Sequence, residues 1–307
     1  MLKPKALRSG DRLAVVAPAS GFDRSEFELG LAELRALGFD PVYDEDVFAR
    51  LGYVAGEASQ RAEAFRKAWR DPDIAGLVGA RGGYGSVQLL PWLPPDELRL
   101  NPKVFLGYSD LTSVLVHLTT GCGVVGFHGP TVIGRLAKGE AAYDRESLER
   151  VTMMAKPAGE FAPDGLETVN SGEATGTLLG GTLTQLVASL GTPYAFAPQK
   201  PFLLFVDEVG ERPYRLDRML TQLRLGGVLA AASAVIWGEL PSCDEPTGCP
   251  TARATAADLL ADFRGPVVFG FPSGHTRRAA LTLPLGVRAR LIADDRPRLI
   301  FEEAAVS

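Results

Sequence analysis

The stretch FLGYSDLTSVLVHL, residues 105–118, joins an apolar run to a helical pattern through one polar turn. Val104 to Gly107 has the look of a short buried strand. Leu111, Val114, Leu115 and Leu118 then recur at i, i+3, i+4 and i+7, the spacing of one helix face. Ser109 stands at the junction. As an N-cap, its hydroxyl would accept an orphan N–H of the first helical turn. A strand-to-helix turn can equally hold a Ser clear of a sheet edge as a nucleophile. The local residues leave both roles open. The strand–turn–helix unit itself carries a fold prediction, provided that it repeats.

It does repeat. RLAVVAP (12–18), FDPVYD (39–44), IAGLVGA (74–80) and GVVGFHG (123–129) are further candidate strands. Between them lie an amphipathic helix over 26–37, with Phe27, Leu31 and Leu34 on one face and Gly38 as its cap, and a polar helix over 59–70 carrying Phe65 and Trp69. Strands alternating with helices of this length imply right-handed crossovers and a parallel sheet, hence an α/β fold. The pattern fades between Gly139 and Thr175, where charged and turn-rich segments follow one another. The expected organisation is an N-terminal domain over 1–140, a linker over 141–175 and a C-terminal domain over 176–307. The last domain offers strands FLLFVDE (202–208), AVIWG (234–238) and VVFGF (267–271) and helices near 216–227 and 251–264. The segment 279–301 has the pattern of paired closing strands.

The chain has 307 residues, 46% hydrophobic and 22% charged, which supplies a large core. A formal net charge of −5 without a basic stripe argues against a nucleic-acid partner. No apolar run reaches membrane-span length, and the N-terminus lacks a signal-peptide core. Three scattered Cys make no disulfide framework and no zinc spacing, so a cytoplasmic location without a metal is expected.

Chemistry-bearing residues gather after the candidate strands. Asp207 and Glu208 end FLLFV, and as neighbours on a strand they should point to opposite sides. Only three His are present. His117 lies on the helix after Ser109, His128 is either a core or a pocket residue, and His275 follows VVFGF in GFPSGHTRR. Loops beyond strand carboxyl ends are where an open α/β sheet assembles its site. A Ser nucleophile needs an adjacent base, and the base needs an acid to hold its tautomer. Ser109, an acid at 207 or 208, and His275 supply those three types. ARGGYGS (80–86) adds glycines whose N–H groups can approach a developing oxyanion. Neither a dinucleotide fingerprint nor a P-loop is present, and the generic G-x-S-x-G elbow fails at Leu111.

In this order, LRSGDRLAVVAPAS, ARGGYGS, GYSDLT, GPTV, GTLLGGTLTQLVASLGTPY, VDEVGERPYRLDRMLTQL and GHTRRAALTLPLG resemble the serine LD-carboxypeptidases, or muramoyltetrapeptide carboxypeptidases. The microcin C self-immunity proteins are relatives of that family. The resemblance runs nearly end to end. It implies a parallel-sheet domain bearing the nucleophile, a β-rich α/β domain bearing acid and base, a site between them, and a homodimer. It implies Ser109 as nucleophile, His275 as base, and N–H groups of Gly83 and Asp110 as the oxyanion hole. The family's acid is the Glu of an E-D-[VI]-x-E stretch, whereas this chain has Asp207-Glu208-Val209-Gly210-Glu211. An ungapped count puts Asp207 at the acid position, with Glu208 as the alternative. Thr182 stands where many relatives carry Asn, which changes a substrate contact or a hydrogen bond beneath the site. The implied activity is release of terminal D-Ala from murein tetrapeptides during cell-wall recycling, with no cofactor and no membrane partner. The rival readings are a self-immunity type hydrolase acting on a peptide-nucleotide antibiotic and a non-catalytic binding protein. For the former, the linker region offers Tyr143 and Phe161 as stacking aromatics but no Trp.

Overall fold

Fourteen strands form two sheets. The computed structural model describes residues 1–307, with β1 (Arg12–Val16), β2 (Asp40–Val42), β3 (Ile74–Gly79), β4 (Val104–Gly107) and β5 (Gly126–His128) in the first half. β6 (Gly159–Phe161), β7 (Glu167–Asn170), β8 (Gly172–Thr182), β9 (Phe202–Asp207) and β10 (Ala232–Gly238) follow. β11 (Val267–Phe271), β12 (Leu283–Leu285), β13 (Val287–Ala293) and β14 (Arg298–Phe301) complete the set. The first sheet has the order β12-β5-β4-β3-β1-β2, and all its pairings are parallel except β12 with β5. The second has the order β6-β14-β13-β8-β9-β10-β11-β7, with a parallel centre β8 to β11 and antiparallel edges.

The first sheet is the expected α/β unit. Its central strands are buried on both faces, as parallel strands covered by crossover helices must be. The helix Arg24–Ala36 buries Phe27, Gly30, Leu31 and Leu34 as one stripe. Each large apolar side chain so buried contributes about 1.5–3 kcal/mol. Leu111, Val114, Leu115 and Leu118 are likewise fully buried, so the helical reading of the opening stretch holds. That helix spans Thr112–Val116 and closes in a single π turn, His117–Gly121.

Two expectations change. The segment 141–175, expected as a linker with a charged helical stretch and a turn-rich one, carries the helix Arg145–Thr152 but also β6, β7 and the start of β8. β6 and β7 are short, half-polar edge strands, whose exposed faces lack the apolar alternation that marks a strand in sequence. The 279–301 segment also divides. β13 and β14 pair as expected, but β12 leaves them and pairs antiparallel with β5 in the first sheet, Leu283 opposite His128. The chain therefore returns to its N-terminal half.

The carboxyl ends of β3, β4, β5, β9 and β11 lead directly to Gly82, Ser109, the His128 strand end, Asp207 and His275. Both sheets thus direct their strand ends at one region.

Candidate active site

The turn after β4 is strained where it carries Ser109. Its φ is +63°, the left-handed region that non-glycine residues seldom occupy. The N-cap positions of the 3₁₀ turn Ser109–Leu111 and of the helix that follows fall to Tyr108 and Leu111, and Ser109 is the first residue inside the turn. Ser109 is therefore not the N-cap, and its positive φ between a strand and a helix is the backbone of a strand-to-helix elbow. The turn is braced from both sides. The Asp110 carboxylate accepts from the Ser86 N–H at 2.8 Å and from Gln185 Nε2 at 3.3 Å. The Ser86 hydroxyl donates to the Asp110 carbonyl at 2.6 Å. Burial pushes the Asp110 carboxyl up, and the Ser86 donors oppose that shift.

The glycine loop lies against this turn. A Cβ at Gly82 would fall 2.8 Å from the Ser109 Cβ, so only Gly allows the approach. Gly83 has φ +105° and a Cβ there would strike the Ser20 hydroxyl at 2.4 Å. The Ser20 hydroxyl in turn accepts from the Tyr84 N–H at 3.1 Å and fixes the loop.

Asp207 and His275 form a closed pair. Asp207 Oδ2 lies 2.7 Å from His275 Nδ1, and Asp207 Oδ1 accepts the His275 backbone N–H at 2.9 Å. Thr182 Oγ1 donates to Asp207 Oδ2 at 3.3 Å. Of the two roles open for Thr182, the structure displays the hydrogen bond beneath the site. Asp207 is fully buried, whereas the His275 side chain keeps 16% of its surface exposed. Burial alone would raise the Asp207 pKa, but His275 outweighs it and holds the carboxyl below its usual range. For His275 burial favours the neutral ring, but the Asp207 carboxylate outweighs it and raises the pKa. With Nδ1–H held by Asp207, Nε2 is the free, basic nitrogen.

Glu208 points the other way, as strand alternation requires. It accepts from the Thr184 N–H at 2.8 Å, the Thr184 hydroxyl at 2.7 Å and the Val209 N–H at 3.0 Å. It braces the helix Leu183–Ser189 and makes no bond to His275. His117 is buried, with Nε2 2.7 Å from the Leu93 carbonyl, away from this centre.

Several residues of the site carry no motif. Tyr108 sets its ring edge-on to His275, centroids 5.1 Å apart, which brings the Ser109 turn beside the imidazole. Arg135 clasps the His275 loop, donating to the carbonyls of Gly274 at 2.6 Å, Thr276 at 3.0 Å and Ala142 at 3.0 Å. Thr112 Oγ1 accepts the Thr182 N–H at 3.1 Å and joins the helix after Ser109 to the end of β8. His128 is fully buried beside Asp207, with Nε2 4.0 Å from Oδ2. An acid directly after the elbow could have marked Asp110 as a brace. Arg135 offers no local signal, because its acceptors come from segments far apart in the chain.

This arrangement can perform acyl transfer. It has a hydroxyl on a strained backbone turn, an imidazole oriented by a buried carboxylate, and backbone N–H groups at a glycine loop. No cluster of His, Cys, Asp or Glu has the geometry of a metal site.

Comparison with known proteins identifies the family. The LD-carboxypeptidase N-terminal domain matches residues 13–129, and the LD-carboxypeptidase C-terminal domain matches residues 175–291. The murein tetrapeptide carboxypeptidase of Pseudomonas aeruginosa is 31% identical over 271 residues, covering 86% of this chain and 88% of the relative. The solved muramoyltetrapeptide carboxypeptidase of Oxalobacter formigenes has a TM-score of 0.84 at 27% identity, covering 95% of this chain and 99% of that one. The microcin C7 self-immunity protein MccF in its apo state has a TM-score of 0.89 over 100% of both chains, a likeness of fold at 24% identity. On its two matched domains and on the length over which it aligns with these peptidases, this chain belongs to the LD-carboxypeptidase family.

Proposed function

We propose that this protein is a serine-type LD-carboxypeptidase. It removes the terminal D-Ala from murein tetrapeptides, and it works in the cytoplasm as a homodimer. The observation that carries the reading is the buried Asp207 carboxylate, which takes both N–H groups of His275 beside a Ser held at positive φ. His275 Nε2 takes the Ser109 proton, and Ser109 Oγ attacks the carbonyl carbon of the scissile bond. The oxyanion rests on the N–H groups of Gly83 and Asp110. His275 then gives its proton to the departing amine, D-Ala leaves, and water activated by the same imidazole hydrolyses the acyl-enzyme. Asp207 stays ionised and stabilises the imidazolium.

The self-immunity reading needs an aromatic surface that stacks on a base. Tyr143 and Phe161 are both buried in the core, so neither supplies one.

The test is release of free D-Ala from a murein tetrapeptide, with an aminoacyl-nucleotide offered in parallel. Wild type should release D-Ala and leave the nucleotide conjugate intact. Ser109→Ala should lose about 10³-fold or more in kcat. Full D-Ala release by Ser109→Ala would sink the mechanism, and turnover of the nucleotide conjugate alone would move the substrate class.

A further inference from the structure

His128 is the remaining chemical group at the centre of the site, and the proposed mechanism does not use it. The side chain has no exposed surface. It lies at the end of β5, whose register sets it opposite Gly107 of β4, two residues before Ser109. Its ring packs edge-on against Phe205 at 5.1 Å and Tyr108 at 6.1 Å. It therefore touches the nucleophile's turn and the acid's strand at once.

Its hydrogen bonding fixes its tautomer. His128 Nδ1 lies 3.1 Å from Ser273 Oγ. The Ser273 hydroxyl donates its one proton to the Leu281 carbonyl at 2.8 Å. Towards His128, Ser273 Oγ is thus an acceptor, and His128 carries its proton on Nδ1. Nε2 is then a bare nitrogen with no hydrogen-bond partner, 4.0 Å from Asp207 Oδ2. An imidazole that donated there would compete with His275 for the carboxylate. One that presents a lone pair cannot. Burial holds His128 in this neutral form, down to a pKa of about 4, against the pull of Asp207. The charged or titratable groups facing it are Asp207, His275 and Arg135, with the Tyr108 phenol nearby.

We propose that His128 is a positioning residue for this reaction: its Nδ1–H to Ser273 ties the His275 loop to the nucleophile-bearing sheet and leaves His275 as the one imidazole bonded to Asp207. Ser273 lies two residues before His275, so the tie acts on the base through its own loop. This inference rests on the serine mechanism proposed above.

The test follows the rate at which a fluorophosphonate labels Ser109, which does not depend on the peptide cleaved. In that step an Oγ–P bond forms, fluoride leaves, and His275 takes the hydroxyl proton. His128→Phe keeps an aromatic ring and removes the donor, His128→Asn restores a donor near the Nδ1 position, and Ser273→Ala removes the acceptor. Melting temperatures confirm that each variant is folded. His128→Phe and Ser273→Ala should label about 10- to 100-fold more slowly, the cost of a small misplacement of a catalytic group. The acid limb of the labelling rate should move to lower pH in both, and His128→Asn should recover most of the rate. Labelling of folded His128→Phe at the wild-type rate and pH profile would overturn the proposal, as would equal losses in the Phe and Asn variants. If His128→Phe does not fold, Ser273→Ala carries the same comparison. Wild-type protein that does not label at all would instead refute the serine mechanism, and this proposal with it.

Discussion

Ser109 holds a backbone conformation that costs a non-glycine residue about 1–3 kcal/mol. Such strain persists only where the surroundings over-determine it, and here the Asp110–Ser86 bonds and the Gly82 contact do so. The strain is separable from the chemistry. Ser109→Ala and Ser109→Gly should both be inactive, but Gly relieves the positive φ. Ser109→Gly should therefore be more stable than Ser109→Ala by about 1 kcal/mol in urea unfolding. Equal stabilities would show that the turn is not strained. At this scale the sequence was informative where a residue type follows a strand. Ser109, Asp207 and His275 all stood at predicted strand ends, and alternation alone said that Asp207 and Glu208 diverge. It was silent on His128 against Ser273 and on Arg135. Their partners are backbone carbonyls and hydroxyls that become neighbours only when distant segments meet.

The helix Leu183–Ser189 shows how an element is set by one buried side chain. It has no cap of its own at Thr182, and Glu208 supplies the acceptor for the Thr184 N–H from the neighbouring strand end. Burial raises the Glu208 pKa, and the three donors it accepts from work against that shift. Glu208→Gln turns one acceptor oxygen into a donor facing other donors. It should cost about 1–3 kcal/mol of stability and less than about tenfold in activity. A Glu208→Gln protein with wild-type stability but no D-Ala release would contradict this division of labour between the adjacent acids. Element reading succeeded for strands buried on both faces and for helices with a clear apolar stripe. It missed β6 and β7, whose edge positions need no apolar alternation. It also misassigned β12, because LPLG carries no sign of whether its partner is β13 next door or β5 far away in the chain. Strand pairing depends on tertiary context more than on local propensity.

The two sheets behave as one body because they share one interior. A single cluster of 62 buried apolar residues includes Leu13 and Phe105 of the first sheet, Leu178, Phe205 and Phe271 of the second, and Ala305 and Val306 of the C-terminus. β12 ties the C-terminal half into the first sheet, and the Ser307 N–H donates to the Pro4 carbonyl at 2.9 Å. Unfolding should therefore be one cooperative transition in calorimetry, with calorimetric and van't Hoff enthalpies in agreement. Two resolved peaks would mean that the halves are independent. The same union brings Asp207 and His275 of the second sheet to the Ser109 turn of the first, where the proposed mechanism makes them acid, base and nucleophile. The pH dependence of kcat/KM for D-Ala release tests it most directly. His275 must be neutral to accept the Ser109 proton, and Asp207 raises its pKa, so the wild-type rate should rise with pH through a midpoint above about 6.5. Asp207→Asn removes the carboxylate that raises it. That variant should fall about 10³-fold or more, with its acid limb moved to lower pH. An Asp207→Asn enzyme within about tenfold of wild type, with the limb unmoved, would contradict the account.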